Sequence, residues 1–466
     1  MPSPIGRLSI VILGIAVAAA TPSAQAQTIC GQWEPLFDDL VGDLSTRART
    51  RVSDLVVFDA GDGPKLYMAG NFESVIDSRF GEVRAPGLAR WDGERWSAVP
   101  GLDGPGLELN SRVITLEVLD DGTGPALYIG GEFTSAAGLE APFIAKWDGT
   151  SWTTFEGPGS PSPGSKVTSI HVHDFGDGPS LFVCGDLFDV ATLTAPAVLQ
   201  WDGTAWIRPG SNLPGSTSGS ALASFDGDLF VGGLEMGRDG ERIPAIASFD
   251  GEDWSTPVGE NQRIIAFPDS EFWELREAEI NGQDVLLASG RFRIIEDDTQ
   301  IASNLAYWDG ERWVSAEPTT GFHANVVADF VDFDDGDGPG LFMAGSDIQS
   351  RWHAAVLRDG AVRPLFGLDG RTAYTIFAYD DGEESQLLVG GEFGAPFAAP
   401  PYLARWQPGE PCKLDWDGDC FASIGDYVAF YSALVGGDLA ADFDDDGELT
   451  HFDLLAYINA YLDGCP

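Results

Sequence analysis

Basic residues are scarce. Lys and Arg total 26 in 466 residues, against 73 Asp and Glu, leaving a net charge of −47. A surface of that sign repels nucleic acid and anionic membranes, so neither is expected as a partner. It suits solubility in salt, or the binding of cations. Long apolar runs are also lacking. The one candidate, Leu8 to Ala20, is too short to span a bilayer. With Arg7 before it and Ser23-Ala24-Gln25-Ala26 after it, Met1–Ala26 reads as a secretory signal peptide. The mature chain is therefore expected to be secreted or extracellular, possible attachment to a cell surface included, with no membrane span.

Catalytic signatures are missing too. There are five histidines, and no Gly-x-Ser-x-Gly elbow, zinc-protease helix or phosphate loop. Acidic pairs are too abundant for a glycosidase dyad to stand out. No catalytic residue is assigned. His171 and His173 alternate along a strand and could share one side to hold a metal. The plainer reading is two solvated residues near a strand end.

What the chain has in abundance is a phrase. Trp91-Asp92-Gly93-Glu94-Arg95-Trp96 returns as Trp147–Trp152, Trp201–Trp206 and Trp308–Trp313, with worn copies at Phe249–Trp254 and Leu357–Gly360. Asp to Asp, the spacing runs 56, 54, 48, 59 and 50 residues. A second phrase, Leu66-Tyr67-Met68-Ala69-Gly70, recurs at Leu127, Leu181, Leu229, Leu286, Leu341 and Leu387, making seven copies. Asp-Gly suits tight hairpins because Gly tolerates positive φ, and the flanking Trp residues can pair across strands. The period is that of a propeller blade. The expected fold class is all-β: a seven-bladed β-propeller over residues 27–408, four strands to a blade. The first blade is read as Val52–Phe58, Lys65–Phe72, Gly87–Trp91 and Trp96–Val99. Repeated loops such as Asp59-Ala60-Gly61-Asp62-Gly63-Pro64 read as turn chemistry rather than calcium sites, since they lack alternating ligand spacing.

The seventh repeat lacks its last strand. Trp33-Glu34-Pro35-Leu36-Phe37 resembles the strand after each turn and is expected to close the ring against Tyr402–Trp406. Five cysteines fit an exported protein. Cys30 and Cys412 flank the missing turn, so Cys30–Cys412 is preferred. Cys420–Cys465 would then staple the tail, worth roughly 4 kcal/mol by loop entropy. Cys412–Cys465 remains a competing connectivity, and Cys184 is read as a buried thiol.

Residues 409–466 carry the clearest chemistry. Asp415, Asp417, Asp419 and Asp426 occupy positions 1, 3, 5 and 12 of a calcium loop, and Asp442, Asp444, Asp446 and Asp453 repeat the pattern. Phe421 and Glu448, at position 7, would lend backbone carbonyls. Two calcium ions are expected. Each loop runs into a helix, Ile424–Leu434 and Phe452–Leu462, with apolar stripes Val428, Tyr431, Leu434 and Leu455, Ile458, Leu462. This loop-then-helix repeat, with Asp at position 12 and a Gly464-Cys465 ending, resembles a dockerin domain of the type found on secreted planctomycete-type bacterial proteins. The resemblance implies calcium-dependent folding and docking onto a cohesin-type partner or cell-surface complex. It places the partner contacts at positions 10 and 11 of each loop, here Ile424, Gly425, His451 and Phe452. The Gly-Gly-Glu-Phe and Trp-Asp-Gly repeats resemble secreted bacterial propellers loosely related to kelch proteins.

The loops Glu73–Pro86, Thr134–Pro142, Leu234–Pro244 and Arg293–Asn304 vary most and form the candidate binding face. Arg79, Arg84, Arg238, Arg242, Arg291 and Arg293 lie on or beside it, so an anionic glycan or a protein ligand is considered; the plainer reading is that they offset acidic surface. Two functions follow. The first is a non-catalytic binding or scaffold protein anchored by its calcium module. The alternative is a polysaccharide hydrolase or lyase on a propeller, tethered by the same module.

Overall fold

The protein is described here by a computed structural model over residues 9–10, 31–41, 50–104, 106, 108–155, 165–187, 197–210, 218–233, 246–265, 272–280, 282–316, 324–336, 338–347, 353–358, 361–365, 372–380, 385–392, 402–408, 414, 416, 424–443 and 447–463. Of the candidate signal peptide only Ser9–Ile10 is described, as a two-residue strand parallel to Phe272–Ile280.

Strands dominate, followed by a small helical region. The first sheet is Arg51–Asp59, Pro64–Asn71, Leu88–Trp91 and Trp96–Ala98, antiparallel and in chain order. The second is Val113–Asp120, Pro125–Gly131, Ile144–Trp147 and Trp152–Thr154. The third is Lys166–His173, Ser180–Asp186, Val198–Trp201 and Trp206–Ile207. The fourth is Ala221–Phe225, Asp228–Gly232, Ile246–Phe249 and Trp254–Ser255. The fifth is Phe272–Ile280, Gln283–Glu296, Thr299–Trp308 and Trp313–Ser315, extended by Gln262–Ile265 along Gln283–Glu296. The sixth is Ala324–Asp334, Pro339–Asp347, Ala354–Arg358 and Ala361–Leu365. In the seventh, Thr372–Asp380, Ser385–Glu392 and Leu403–Pro408 gain a fourth strand from the other end of the chain. That strand, Gly31–Pro35, runs antiparallel to Leu403–Pro408 with Trp33 opposite Trp406, as the incomplete repeat required.

The second phrase explains the packing. Successive residues of a strand face opposite sides. Leu127 and Ile129 enter the apolar cluster shared with the first sheet, while Ala126 and Tyr128 enter the one shared with the third. Leu181 and Val183, then Phe182 and Cys184, divide in the same way between the second and fourth sheets. Each of these strands is buried on both faces, which is why it reads as an unbroken apolar run. Such clusters join every consecutive pair of sheets, and one more joins the seventh to the first through Tyr379, Leu388 and Leu403 against Leu55, Leu66 and Met68.

The Trp-Asp-Gly phrase makes hairpins by a route that differs from the expectation. Trp91 pairs with Trp96 across a four-residue loop, and their rings lie 5.4 Å apart. Gly93 takes positive φ, but Asp92 contributes its carboxylate, which accepts the N–H groups of Glu94 and Arg95 at 3.0 and 2.8 Å. Asp148, Asp202, Asp250 and Asp309 repeat this bonding. The Asp59, Asp120, Asp174 and Asp334 loops are likewise closed by a carboxylate holding two glycine N–H groups of its own turn. In the worn sixth repeat, Arg358 pairs directly with Ala361, a shorter hairpin; Leu357 opposite Val362 stands where the aromatic pair would be, and the Arg358 guanidinium makes a buried 2.6 Å bridge to Asp335.

The second Trp also clasps sheets together. Its indole N–H donates to a carbonyl just past the last strand of the preceding sheet: Trp152 to Pro100, Trp206 to Phe155, Trp254 to Pro209 and Trp313 to Pro257, at 2.8–2.9 Å. Trp96, at the junction with the seventh sheet, finds no such partner and packs edge-on against Phe37.

Two of the variable loops are small hairpins, Ser74–Asp77 with Gly81–Arg84 and Ser135–Ala136 with Leu139–Glu140. Residues 293–304 continue the fifth sheet. Arg79 and Arg84 are paired to Asp77 and Glu73 at 2.6 and 2.9 Å, so both offset neighbouring acids. Arg238 and Arg242 lie outside the described residues, as does the side chain of Arg291. Cys184 is a fully buried thiol, pushed up to about 12 by burial. Cys30, Cys412, Cys420 and Cys465, and with them the disulfide expectations, lie outside the described residues.

Candidate metal centre and interior polar cluster

Two helices form in the tail, α1 (Ile424–Gly436) and α2 (His451–Asp463). Each carries a position-12 aspartate in its first turn, where a negative charge meets the positive end of the helix dipole. Asp426 and Asp453 are both fully buried. Asp426 accepts the N–H of Trp416 and Asp453 that of Phe443, each at 2.7 Å. Trp416 and Phe443 are position 2 of their loops, so the two halves close by the same bond. In the second loop, Thr450 N–H also donates to Asp453, and Gly447 N–H donates to Asp442 at 2.8 Å. Gly447 adopts the positive φ expected of the sharp turn.

The symmetry extends into the core. Phe430 and Tyr457 each lie four residues past the position-12 aspartate, and they stack face to face, 4.2 Å apart and 7° from parallel. Trp416 meets Phe430 edge-on, and Phe443 meets Tyr457 in the same way. This corrects the expected helix faces in part. Leu434 packs against the core, but Val428, Tyr431 and Leu455 point outward, 57, 47 and 50 % exposed, and the core stripe is the one that contains the aspartates. Spacing of three and four fits either stripe; burial of Asp426 and Asp453 selects this one. Phe452 is 56 % exposed and His451 is exposed, whereas the side chains of Ile424 and Gly425 lie outside the description. Asp415, Asp417, Asp419, Phe421, Asp444 and Asp446 also lie outside it. Glu448 is exposed, as a residue lending only its carbonyl can be.

The described residues fit a calcium loop. Two carboxylates enclosed in an aromatic core are costly to ionise without compensating charge. The loop ends are already drawn together by the position-2 and position-6 amides. A bound cation would supply the positive charge, with Asp426, Asp442 and Asp453 as the described oxygen donors.

A second cluster was not read from the sequence. The first strands of four sheets bring Asp54, Glu117, Glu274, Arg276 and Asp329 into mutual electrostatic contact. Asp54 accepts the N–H of Leu116 in the next sheet at 2.6 Å, and Asp329 that of Ile376 at 2.9 Å, so both bind neighbouring sheets. Arg276 lies 3.7 Å from Asp329 and 3.4 Å from Glu274. Water reaches the cluster, yet protein hems it in. Desolvation pushes Glu117 and Glu274 up to about 7, and raises Asp54 and Asp329 above the usual carboxylate range.

His171 and His173 are not a solvated pair. Both reach Ser224 of the fourth sheet, at 2.7 Å each, and His173 Nε2 lies 3.1 Å from the Gly227 carbonyl. His173 Nε2–H therefore donates to Gly227, the Ser224 hydroxyl donates to His173 Nδ1, and His171 Nε2–H donates to Ser224. This is a neutral clasp between sheets. Desolvation lowers His171 to about 4, with the neighbouring His173 adding to it.

These groups give opposite pH dependences. A glutamate whose folded pKa is raised contributes stability that is full below its ordinary 4.5 and lost as pH rises through about 7. His171, lowered from 6.5, contributes stability present above 6.5 and lost as pH falls toward about 4. Glu117→Gln should stabilise the protein at pH 8 by about 1 kcal/mol, after discounting for water access, and leave it unchanged at pH 4. Ser224→Ala should cost about 1 kcal/mol at pH 7.5 and reduce acid sensitivity. Denaturant melts of both variants from pH 4 to 8 check these signs.

No helix among the described residues is long and apolar enough to cross a membrane. No protein-family model matches the chain, and no curated protein does. Solved structures match at low identity. The extracellular domain of a putative hybrid two-component system from B. thetaiotaomicron is 13% identical, with a TM-score of 0.44, over 80% of this chain and 39% of that one. An ancestral GH74 enzyme is 13% identical, with a TM-score of 0.41, over 80% of this chain and 51% of the other. A computationally designed protein is 10% identical, with a TM-score of 0.39, over 82% and 99%. The chain thus spans between two fifths and about half of the natural proteins it is set beside.

Proposed function

We propose that this is an exported, non-catalytic binding protein whose seven sheets form a closed seven-bladed β-propeller and whose tail is a dockerin-like module holding two calcium ions. The cyclic order of the apolar clusters and the Gly31–Pro35 pairing support the propeller. The observation that carries the calcium reading is the pair of equivalent buried carboxylates, Asp426 and Asp453, each bonded to position 2 of its loop. The first ion would be held by Asp415, Asp417, Asp419, the Phe421 carbonyl and Asp426. The second would be held by Asp442, Asp444, Asp446, the Glu448 carbonyl and Asp453.

The partner is a cohesin-type protein. Val428, Tyr431 and Val435 on α1 and Phe452 and Leu455 on α2 are apolar and exposed. Val428 and Leu455 are equivalent positions of the repeat, each two residues past its buried aspartate. Such faces mark an interaction surface. Calorimetric titration with calcium should give two sites in the wild type and one each in Asp415→Ala and Asp442→Ala. Unchanged heats in both variants would rule the reading out.

A further inference from the structure

The junction between the seventh and first sheets differs from the others in a way that leaves room. The chain leaving Gly31–Pro35 turns aside through Leu36 and Phe37 to pair Asp39–Val41 with Ser74–Asp77. Trp96 is left without the carbonyl that its four counterparts bind. A cavity of about 310 Å³ opens there, with Trp91 and Tyr379 among its walls. That is the lower end of the size range for small-molecule sites.

The cations around it are held in place by carboxylates. Arg79 is held by Asp77, a carboxylate 4 % exposed, through Nε at 2.9 Å and a terminal nitrogen at 2.6 Å. Arg405 is held by Glu34 at 2.8 Å, with Gln386 3.4 Å away. Asp38 accepts the N–H of Ser78. Two cations, Arg79 and Arg405, stand against three carboxylates, Asp38 and Asp77 in the wall and Glu34 on Arg405, a net charge of −1. An anionic ligand gains nothing from such a wall, whereas a neutral ligand with many hydroxyls finds oriented donors and acceptors beside Trp91 and Tyr379. Donors already held in place lose little freedom on binding.

We infer that this junction cavity binds an uncharged saccharide, as a chain end or short stretch. The inference deepens the binding reading above by naming a site and a ligand class; it does not depend on the calcium module. The test is calorimetry of the full-length protein with cello-, xylo- and mannotetraose, and with tetragalacturonate as an anionic control. Binding of at least one neutral tetraose is expected, weakened tenfold or more in both Arg79→Ala and Gln386→Ala. Arg79→Ala also strips the nearly enclosed Asp77 of its counter-ion, so circular dichroism of each variant at the titration temperature separates site loss from unfolding. No binding of any neutral tetraose, equal affinity in both variants, or binding of the uronate alone would overturn it. Calcium titration of the same sample shows whether the tail reading stands when this one fails.

Discussion

Chelating calcium should unfold the tail while the sheets stay folded. The helical region has a small core, with only Leu414, Phe430, Ala441 and Tyr457 as its fully enclosed apolar residues among those described. A core of that size cannot carry a fold unaided, so the metal's binding free energy becomes folding free energy. Asp426→Ala or Asp453→Ala should do the same as chelator, removing several kcal/mol of tail stability. The readout is far-UV circular dichroism of the helices with and without excess calcium, beside the tryptophan signal of the sheets. Because Phe430 and Tyr457 stack on one another, the loss of one loop should weaken calcium binding at the other. A tail that keeps its helices in chelator would refute the calcium assignment.

Removing residues 1–41 should damage the other end as severely. That truncation strips Gly31–Pro35 from Leu403–Pro408, leaving an unpaired strand edge and uncovering the partner of Trp33. Exposed edges of this kind template aggregation. Trp33 is only partly buried, so Trp33→Ala alone should cost about 2 kcal/mol, below the range for a fully enclosed aromatic. By comparison, Trp206→Phe loses only the bond to Phe155 and some contact area, and should cost about 1 kcal/mol or slightly more. Thermal melts with light scattering distinguish these outcomes. Equal melting temperatures for the truncated and full chains would show that the terminal strand contributes little.

Much of this architecture was legible because it repeats. Trp-Asp-Gly needs a hairpin in any context, so its period marked the sheets, and the missing last strand of the seventh repeat pointed to Trp33. The two loop-then-helix halves were legible because their aspartates recur at one spacing, and Asp426 and Asp453 take equivalent buried places. The interior cluster was not. Asp54, Glu117, Glu274 and Asp329 sit in four separate repeats, and no spacing links residues that meet only after the sheets assemble. The helix faces misled for a related reason: Val428 and Tyr431 are more apolar than Asp426, and only the burial of the carboxylate shows which stripe turns inward. In the sixth repeat, the turn was legible but not the buried Arg358–Asp335 bridge, which joins residues 23 apart.

One consequence follows from the position of Leu403–Pro408. It is the last strand before the tail, yet it lies between Ser385–Glu392 and Gly31–Pro35 rather than at a border. Force reaching this strand from its C-terminal end would load two hydrogen-bonded ladders at once, where a border strand has one. Releasing the chain's last strand therefore requires breaking its bonds to both ends of the fold at once.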